Sequence, residues 1–384
     1  MSEIRPISMW NVGSVHFGQG SAREAATGLA DRGCTRAFIV TTPPTRGLCD
    51  PLIGRFADLG VATQVWDRLA GEPTLTEFAD ALAEARRFGA DGVIGLGGGS
   101  AMDVAKLVAA LFDGAQTIDQ VVGVDLVSHR SLPLACIPTT AGTGSEVTPI
   151  AILEDEKDAL KKGTVSRHLV PDIACLDPEM TVTMPRAVTA STGLDALTHC
   201  VEAYVNRFSH PIVDGFALEG VRLIGANLAR ACADGGDLAA RGAMLRASYY
   251  GGLCLGPVNT GAVHALAYPL GGEFHVPHGV ANALLLPHVL RFNLEVAADR
   301  YATVAEALGV ARTGDDRRDA LAGVDRIEAL SRECGVTGGM SGHGISSNAI
   351  PHMAAAAMTV TRLLDRNPRV VTEADALRIY QAAL

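Results

Sequence analysis

Aromatic side chains make up only 5% of this chain, so its interior must be filled largely by Ala, Leu and Val, with close turns supplied by 42 glycines. Basic stripes are missing as well. The formal charge is −10 and the densest basic run outside short Arg pairs is Lys161-Lys162-Gly163, which excludes a nucleic-acid partner as an expectation. No uninterrupted apolar stretch approaches the ~18 residues of a membrane span, so no membrane partner is expected. The eight cysteines, at 34, 49, 136, 175, 200, 232, 254 and 334, form no CxxC pair and no disulfide framework. They read as reduced residues, several of them buried, in a cytoplasmic protein. The opening MSEIRPISMWNVG has no apolar segment with a cleavage site behind it, so no secretory signal is read there. What the chain does have is length: 384 residues allow two domains and a large core without covalent staples.

Two rhythms divide it. Up to about residue 185, short apolar runs alternate with helical periods. RAFIVTT (36–42), VATQVWD (61–67), GVIGLGGGS (92–100, entering a glycine turn), LPLACIPTT (132–140) and DIACLDP (172–178) read as strands. Residues 74–89 and 101–112 carry helical spacing between them. Strands alternating with helices imply a doubly wound parallel sheet covered on both faces. After Met184-Pro185 the strand signals stop and helical periodicity continues to the C-terminus. The expected architecture is an α/β domain over 1–185 followed by an all-α domain over 186–384.

Three features carry chemistry. Gly97-Gly98-Gly99-Ser100 lies between a predicted strand and a predicted helix, where backbone N–H groups and the helix dipole can hold a pyrophosphate. It is not the GxGxxG fingerprint, which opens the first strand–helix turn of a dinucleotide fold. Pro138-Thr139-Thr140-Ala141-Gly142-Thr143-Gly144-Ser145-Glu146-Val147-Thr148 follows the next strand and offers hydroxyl donors between small residues. Finally, Asp195 and His199 stand four apart in GLDALTHCVEAY, on one helix face, with His264 and His278 downstream. One carboxylate with three imidazoles suits Fe²⁺ or Zn²⁺ better than an oxygen cage for Ca²⁺. Any of these histidines alone is more often a surface or core residue. Together with two cofactor-type turns they make a set.

The strings GGGSAMDVAK, PTTAGTGSEVT, DPEMTVTMPRAVTASTGLDALTHCVEAY and VHALAYPLGGEFHVPHGVANALLLPHVL, with NPR at 367–369, resemble the iron-containing alcohol dehydrogenase family along essentially the whole chain. The resemblance implies a dehydroquinate synthase-like fold, an N-terminal dinucleotide-binding domain with an all-helical metal-binding domain, and a homodimer. It implies Asp195, His199, His264 and His278 as metal ligands, Gly98, Gly99 and Ser100 as the pyrophosphate turn, and Asp103 behind it. Thr139, Thr140 and Thr148 match positions lining the nucleotide, and Lys161 falls where a lysine meets the cofactor ribose, with Lys162 as its neighbour. The implied reaction is hydride transfer between a small alcohol or its aldehyde or ketone and NAD or NADP, with Fe²⁺, or alternatively Zn²⁺, as Lewis acid.

The chain departs from the family pattern in three places. The strand end that often carries an Asp against the adenosine ribose reads Thr41-Thr42-Pro43, with Arg46 close behind. Thr42 is therefore a cofactor contact without a charge to repel a 2′-phosphate, and NADP is expected beside NAD. Where some members place a histidine near the nicotinamide, this chain has Tyr268, a candidate proton carrier of much higher ordinary pKa. His275 in EFHVPHG is a second candidate. An Asn before Pro-Thr is replaced by Glu72, to which no role is assigned.

Two relatives of the same fold compete with this reading. A maleylacetate reductase shares the Thr-Pro strand end but needs no metal, which the complete ligand quartet argues against. A 3-dehydroquinate synthase-like lyase would need a basic cluster for a phosphorylated substrate, which is not visible.

Overall fold

The computed structural model of the chain describes residues 5–157 and 160–384. They cluster into two compact units. Of the described residues, one takes in those within 9–140 and 144–183; the other takes in 5–8, 141–143 and 184–384.

In the first unit the chain runs β1 (Ser14–Phe17), α1 (Glu24–Ala30), β2 (Arg36–Val40), α2 (Asp50–Asp58), β3 (Ala62–Trp66), α3 (Leu75–Phe88), β4 (Gly92–Gly97) and α4 (Gly99–Leu111). It continues through α5 (Ile118–Val121), β5 (Gly123–Val124), β6 (Leu134–Pro138), β7 (Ile150–Asp155), β8 (Leu160–Val165) and β9 (Ile173–Leu176). Six strands form one sheet in the order β1-β9-β6-β4-β2-β3, every neighbouring pair parallel. Both faces are covered. Phe38 and Val40 of β2 join a core with Phe78 and Ala81 of α3 and Met102 of α4. Ala37 and Ile39 join another with Leu29 of α1 and Phe56 of α2. That double burial is why the strands read as unbroken apolar runs rather than as alternation.

Helix α4 lies so close to β4 that a Cβ on Gly95 would stand 2.9 Å from the Met102 Cα. Val40 pairs with Gly95 and Gly97 with Pro138, so the turns after β2, β4 and β6 emerge side by side at the carboxyl edge of the sheet. A second sheet, β5-β8-β7, pairs β7 and β8 antiparallel. Neither it nor β1 was expected from the sequence.

The second unit is helical: α6 (Arg186–Val205), α7 (Pro211–Ala233), α8 (Leu238–Leu255), α9 (Ala262–Phe274), α10 (His278–Ala307), α11 (Asp316–Glu333), α12 (Ile350–Met358), α13 (Thr361–Leu364) and α14 (Glu373–Ala383). Helix α6 is its axis. From Thr189 to Val205 every residue except Ser191 and Thr192 is buried, against α7, α8 and α10. Helix α10 begins in backbone contact with α6: a Cβ on Gly279 would fall 2.0 Å from the Ser191 carbonyl oxygen, so only glycine fits there. That approach carries His278 to α6. No helix among the described residues is long and apolar enough to cross a membrane.

Candidate active site

The metal-type quartet converges in the helical unit. Asp195 and His199 project from one face of α6, His264 from the first turn of α9, and His278 opens α10. Asp195 Oδ1 is the hub, 3.8 Å from His199 Nε2 and 3.6 Å from the Nε2 atoms of both His264 and His278. The His199 and His264 rings stack with centroids 4.8 Å apart, and His278 leans on His264 at 5.3 Å. Asp195, His199 and His264 are buried, while His278 is half-buried.

The far nitrogens of two rings are fixed. His199 Nδ1 lies 3.2 Å from the Gly142 carbonyl oxygen and His264 Nδ1 lies 2.6 Å from Glu202 Oε2. These contacts turn each Nε2 toward Asp195, the orientation a metal-ligating imidazole needs. Glu202, buried beneath His264, also accepts the Val263 N–H at 2.6 Å. Asn282, one turn along α10 from His278, donates from Nδ2 to Asp195 Oδ1 at 2.8 Å.

The electrostatics follow from this packing. Burial would raise the Asp195 carboxyl, but the imidazoles of His199, His278 and His264 outweigh it and hold the group well below the usual carboxylate range. Burial pushes His199 down. Burial also works against charge on His264, yet Glu202 and Asp195 override it and bring that imidazole to about 9. Three imidazole nitrogens converge on one buried carboxylate oxygen, a donor set of one anion and three nitrogens. The spacings of 3.6–3.8 Å are close to the ~3.4 Å between tetrahedral donors on bonds of about 2.1 Å. The donor set fits a divalent first-row ion.

Tyr268 sits half-buried one turn beyond His264 on α9. His275 is exposed at the left-handed cap of the same helix (φ 53°), outside the cluster.

In the sheet unit, Gly98 precedes α4 in extended conformation with no side chain capping the helix, and Gly99 and Ser100 form its first turn. The Thr140 side chain lies against Gly98, and the Thr139 N–H donates to the Gly97 carbonyl at 2.9 Å. Thr42 caps the short helix after β2, its hydroxyl 2.7 Å from that of Thr45. Asp103 and Thr148 are engaged with protein groups. Asp103 accepts from Ser145 Oγ at 2.6 Å and from the Ile152 N–H at 3.0 Å. Fully buried Lys106 donates to Ser145 Oγ, Thr148 Oγ1 and the Ile150 carbonyl. This lysine ties the threonine-rich turn to α4, and sequence reading did not single it out.

Lys161 pairs with Glu72 at 3.2 Å, whereas Lys162 turns to Asp155 at 2.5 Å, as successive residues of a strand must. Arg46 is paired with Asp50 at 2.9 Å.

Comparison with known proteins agrees with this arrangement. The family model described as "Iron-containing alcohol dehydrogenase" matches residues 13–178, and "Fe-containing alcohol dehydrogenase family, C-terminal" matches 189–384. The chain is 38% identical over 374 residues to long-chain-alcohol dehydrogenase 1 of Geobacillus thermodenitrificans, covering 96% of this chain and 94% of that protein. The solved structure of a 1,3-propanediol oxidoreductase superposes with a TM-score of 0.96 at 32% identity, covering 99% of this chain and 100% of that one. Sulfoacetaldehyde reductase from Bifidobacterium kashiwanohense in complex with NAD⁺ superposes at 0.89 with 27% identity, covering 100% and 99%. This chain belongs to the iron-containing alcohol dehydrogenase family and is an oxidoreductase acting on alcohols and aldehydes.

Proposed function

We propose that the chain interconverts a small alcohol and its aldehyde or ketone with NAD or NADP, using a divalent ion, Fe²⁺ or alternatively Zn²⁺, held by Asp195, His199, His264 and His278. The observation that carries this is the convergence of three imidazole nitrogens on one buried carboxylate oxygen at 3.6–3.8 Å. When bound, the ion supplies Lewis acidity toward the substrate oxygen and the nicotinamide supplies the hydride acceptor or donor.

The protein's own residues do the rest. Gly142 and Glu202 lock the His199 and His264 rings, so the ligand atoms need little rearrangement. The uncapped N-terminus of α4 at Gly98, Gly99 and Ser100, with Thr139 and Thr140 beside it, holds the pyrophosphate. Thr42 and Lys161 contact the ribose. Asp103 and Thr148 act behind the turn by holding its shape through Ser145 and Lys106.

Oxidising an alcohol also releases a proton from its hydroxyl, and in this reading Tyr268, four residues after His264 on α9, carries it. His275, at the exposed helix end, exchanges it with water. An unaltered turnover and pH–rate profile in Tyr268→Phe would remove the tyrosine from that role.

The end of β2 carries no carboxylate, and Thr42 there is neutral. Both cofactors should therefore support turnover. A coupled screen of small alcohols and aldehydes with NADH and with NADPH, after loading with Fe²⁺ or Zn²⁺, tests this. A preference for NADH above roughly a hundredfold, about 2.7 kcal/mol, would contradict it.

The chain acts as a homodimer in the cytoplasm. β1 lies at an open sheet edge with Val15 and Phe17 exposed, and the cysteines are free and buried. A monomeric mass by light scattering would exclude the dimer.

A further inference from the structure

Asn367-Pro368-Arg369, near the C-terminus, takes no part in the function proposed above, yet it is tied firmly to the middle of α10. The Asn367 and Asn293 side chains form a reciprocal amide pair, Nδ2 of each donating to Oδ1 of the other at 2.8 and 2.9 Å. Asn367 Nδ2 also donates to the Arg369 carbonyl at 2.6 Å, and Asn293 Nδ2 to the Tyr301 hydroxyl at 3.1 Å. A carbonyl only accepts, so the Arg369 contact fixes which end of the Asn367 amide is nitrogen, and the pairing then fixes Asn293. Both asparagines and Tyr301 are buried, and every amide hydrogen of the pair is bonded, which specifies one arrangement. Arg369 clamps the segment further, donating to the Phe292 carbonyl at 2.7 Å and pairing with Glu295 at 2.9 Å.

What this arrangement backs is the support of His264. A Cβ added to Gly261 would stand 3.7 Å from the Asn367 Cα and 3.1 Å from Glu202 Oε1, so the bare face of Gly261 meets both groups. Glu202, Gly261, Asn293, Tyr301 and Asn367 line one interior pocket. Gly261 leads into the first turn of α9, where Glu202 accepts from the Val263 N–H and from His264 Nδ1, both at 2.6 Å. The segment also meets the end of α6, the helix that carries Glu202, through the Arg207 N–H and the Arg366 carbonyl at 2.9 Å. The amide pair, Gly261 and Glu202 are thus layered behind one ligand imidazole, and close packing passes a shift in the first layer on to the last.

We propose that the Asn293–Asn367 pair is a positioning element of the metal centre, acting on His264 through Glu202. The inference rests on the quartet being a metal site, and the test separates the two. Co²⁺ affinity is measured by competition with a chromophoric chelator, with the visible d–d absorption recorded, for wild type, Asn367→Ala, Glu202→Gln and the double variant.

Wild type binding no Co²⁺ would overturn the metal site itself, and this role with it. With wild type binding, Asn367→Ala should bind at least about fivefold more weakly, with shifted d–d bands, because the imidazole is held less well. On the Glu202→Gln background the same substitution should change affinity less than about twofold, since the charge it acts through is already gone. An asparagine with a merely structural role would leave affinity and spectrum as in wild type, or weaken binding equally in both backgrounds. Either result overturns the proposal. Asn293→Ser, which breaks the pair from the α10 side, should reproduce the Asn367→Ala pattern and carries the test if Asn367→Ala does not fold. Wild-type affinity and spectrum in Asn293→Ser would overturn the proposal as well.

Discussion

Asp195→Ala should retain no divalent ion at micromolar concentration and lose at least about 10³-fold in kcat/KM, while keeping the helical unit folded. The size follows from the hub position of the carboxylate. It is the one anionic donor of the quartet, and all three Nε2 atoms lie within 3.8 Å of its Oδ1. Without it, three imidazoles remain but the negative charge that offsets the cation is gone. Losing Lewis-acid stabilisation of the substrate oxygen costs several kcal/mol of barrier, and each 1.36 kcal/mol is tenfold in rate. Helix α6 is buried through apolar contacts along most of its length, so its packing does not depend on this carboxylate. Metal content per chain, turnover and circular dichroism on the same sample check all three parts. Full metal content in the variant would refute the assignment.

Glu202 should act with a different signature. Its carboxylate accepts from His264 Nδ1 and from the Val263 N–H, both at 2.6 Å, and all three groups are buried. Glu202→Gln keeps the shape but removes the charge that makes His264 a better donor. Metal affinity should fall about 10–100-fold with little loss of stability. Glu202→Leu strands the Val263 N–H and the His264 Nδ1–H without acceptors, each at about 1–3 kcal/mol, so the apo-protein should be destabilised by roughly 3–5 kcal/mol as well. Chelator competition with urea unfolding separates the effects. If Glu202→Gln binds metal as tightly as wild type, the carboxylate is structural only.

The parallel sheet was legible because burial on both faces writes strands as continuous apolar runs, at 36–40, 92–97 and 134–138. β1 escaped notice because it is four residues long, lies at an edge, and exposes Val15 and Phe17. β8 reads as a loop because Lys161, Lys162 and Gly163 dominate it. Pairing with β7, not apolar content, makes it a strand.

The site shows the same division. Asp195 and His199 could be paired from their i, i+4 spacing, whereas His264 and His278 needed the family pattern, because only packing such as Gly279 on Ser191 brings their helices to α6. Glu202 lies seven residues beyond Asp195 and Asn282 four beyond His278, so both spacings were visible, but spacing alone cannot say that three helices meet there. Glu72, a departure without a role in the sequence, proves to be the partner of Lys161.

The central claim is that the quartet holds an ion the reaction needs. It is tested most directly by stripping the protein with a chelator and titrating Fe²⁺ anaerobically, or Zn²⁺, while following NAD(P)H oxidation with a small aldehyde. Turnover should be absent from the stripped protein and rise to a plateau at one ion per chain. Undiminished turnover in protein shown to carry no metal would contradict the account.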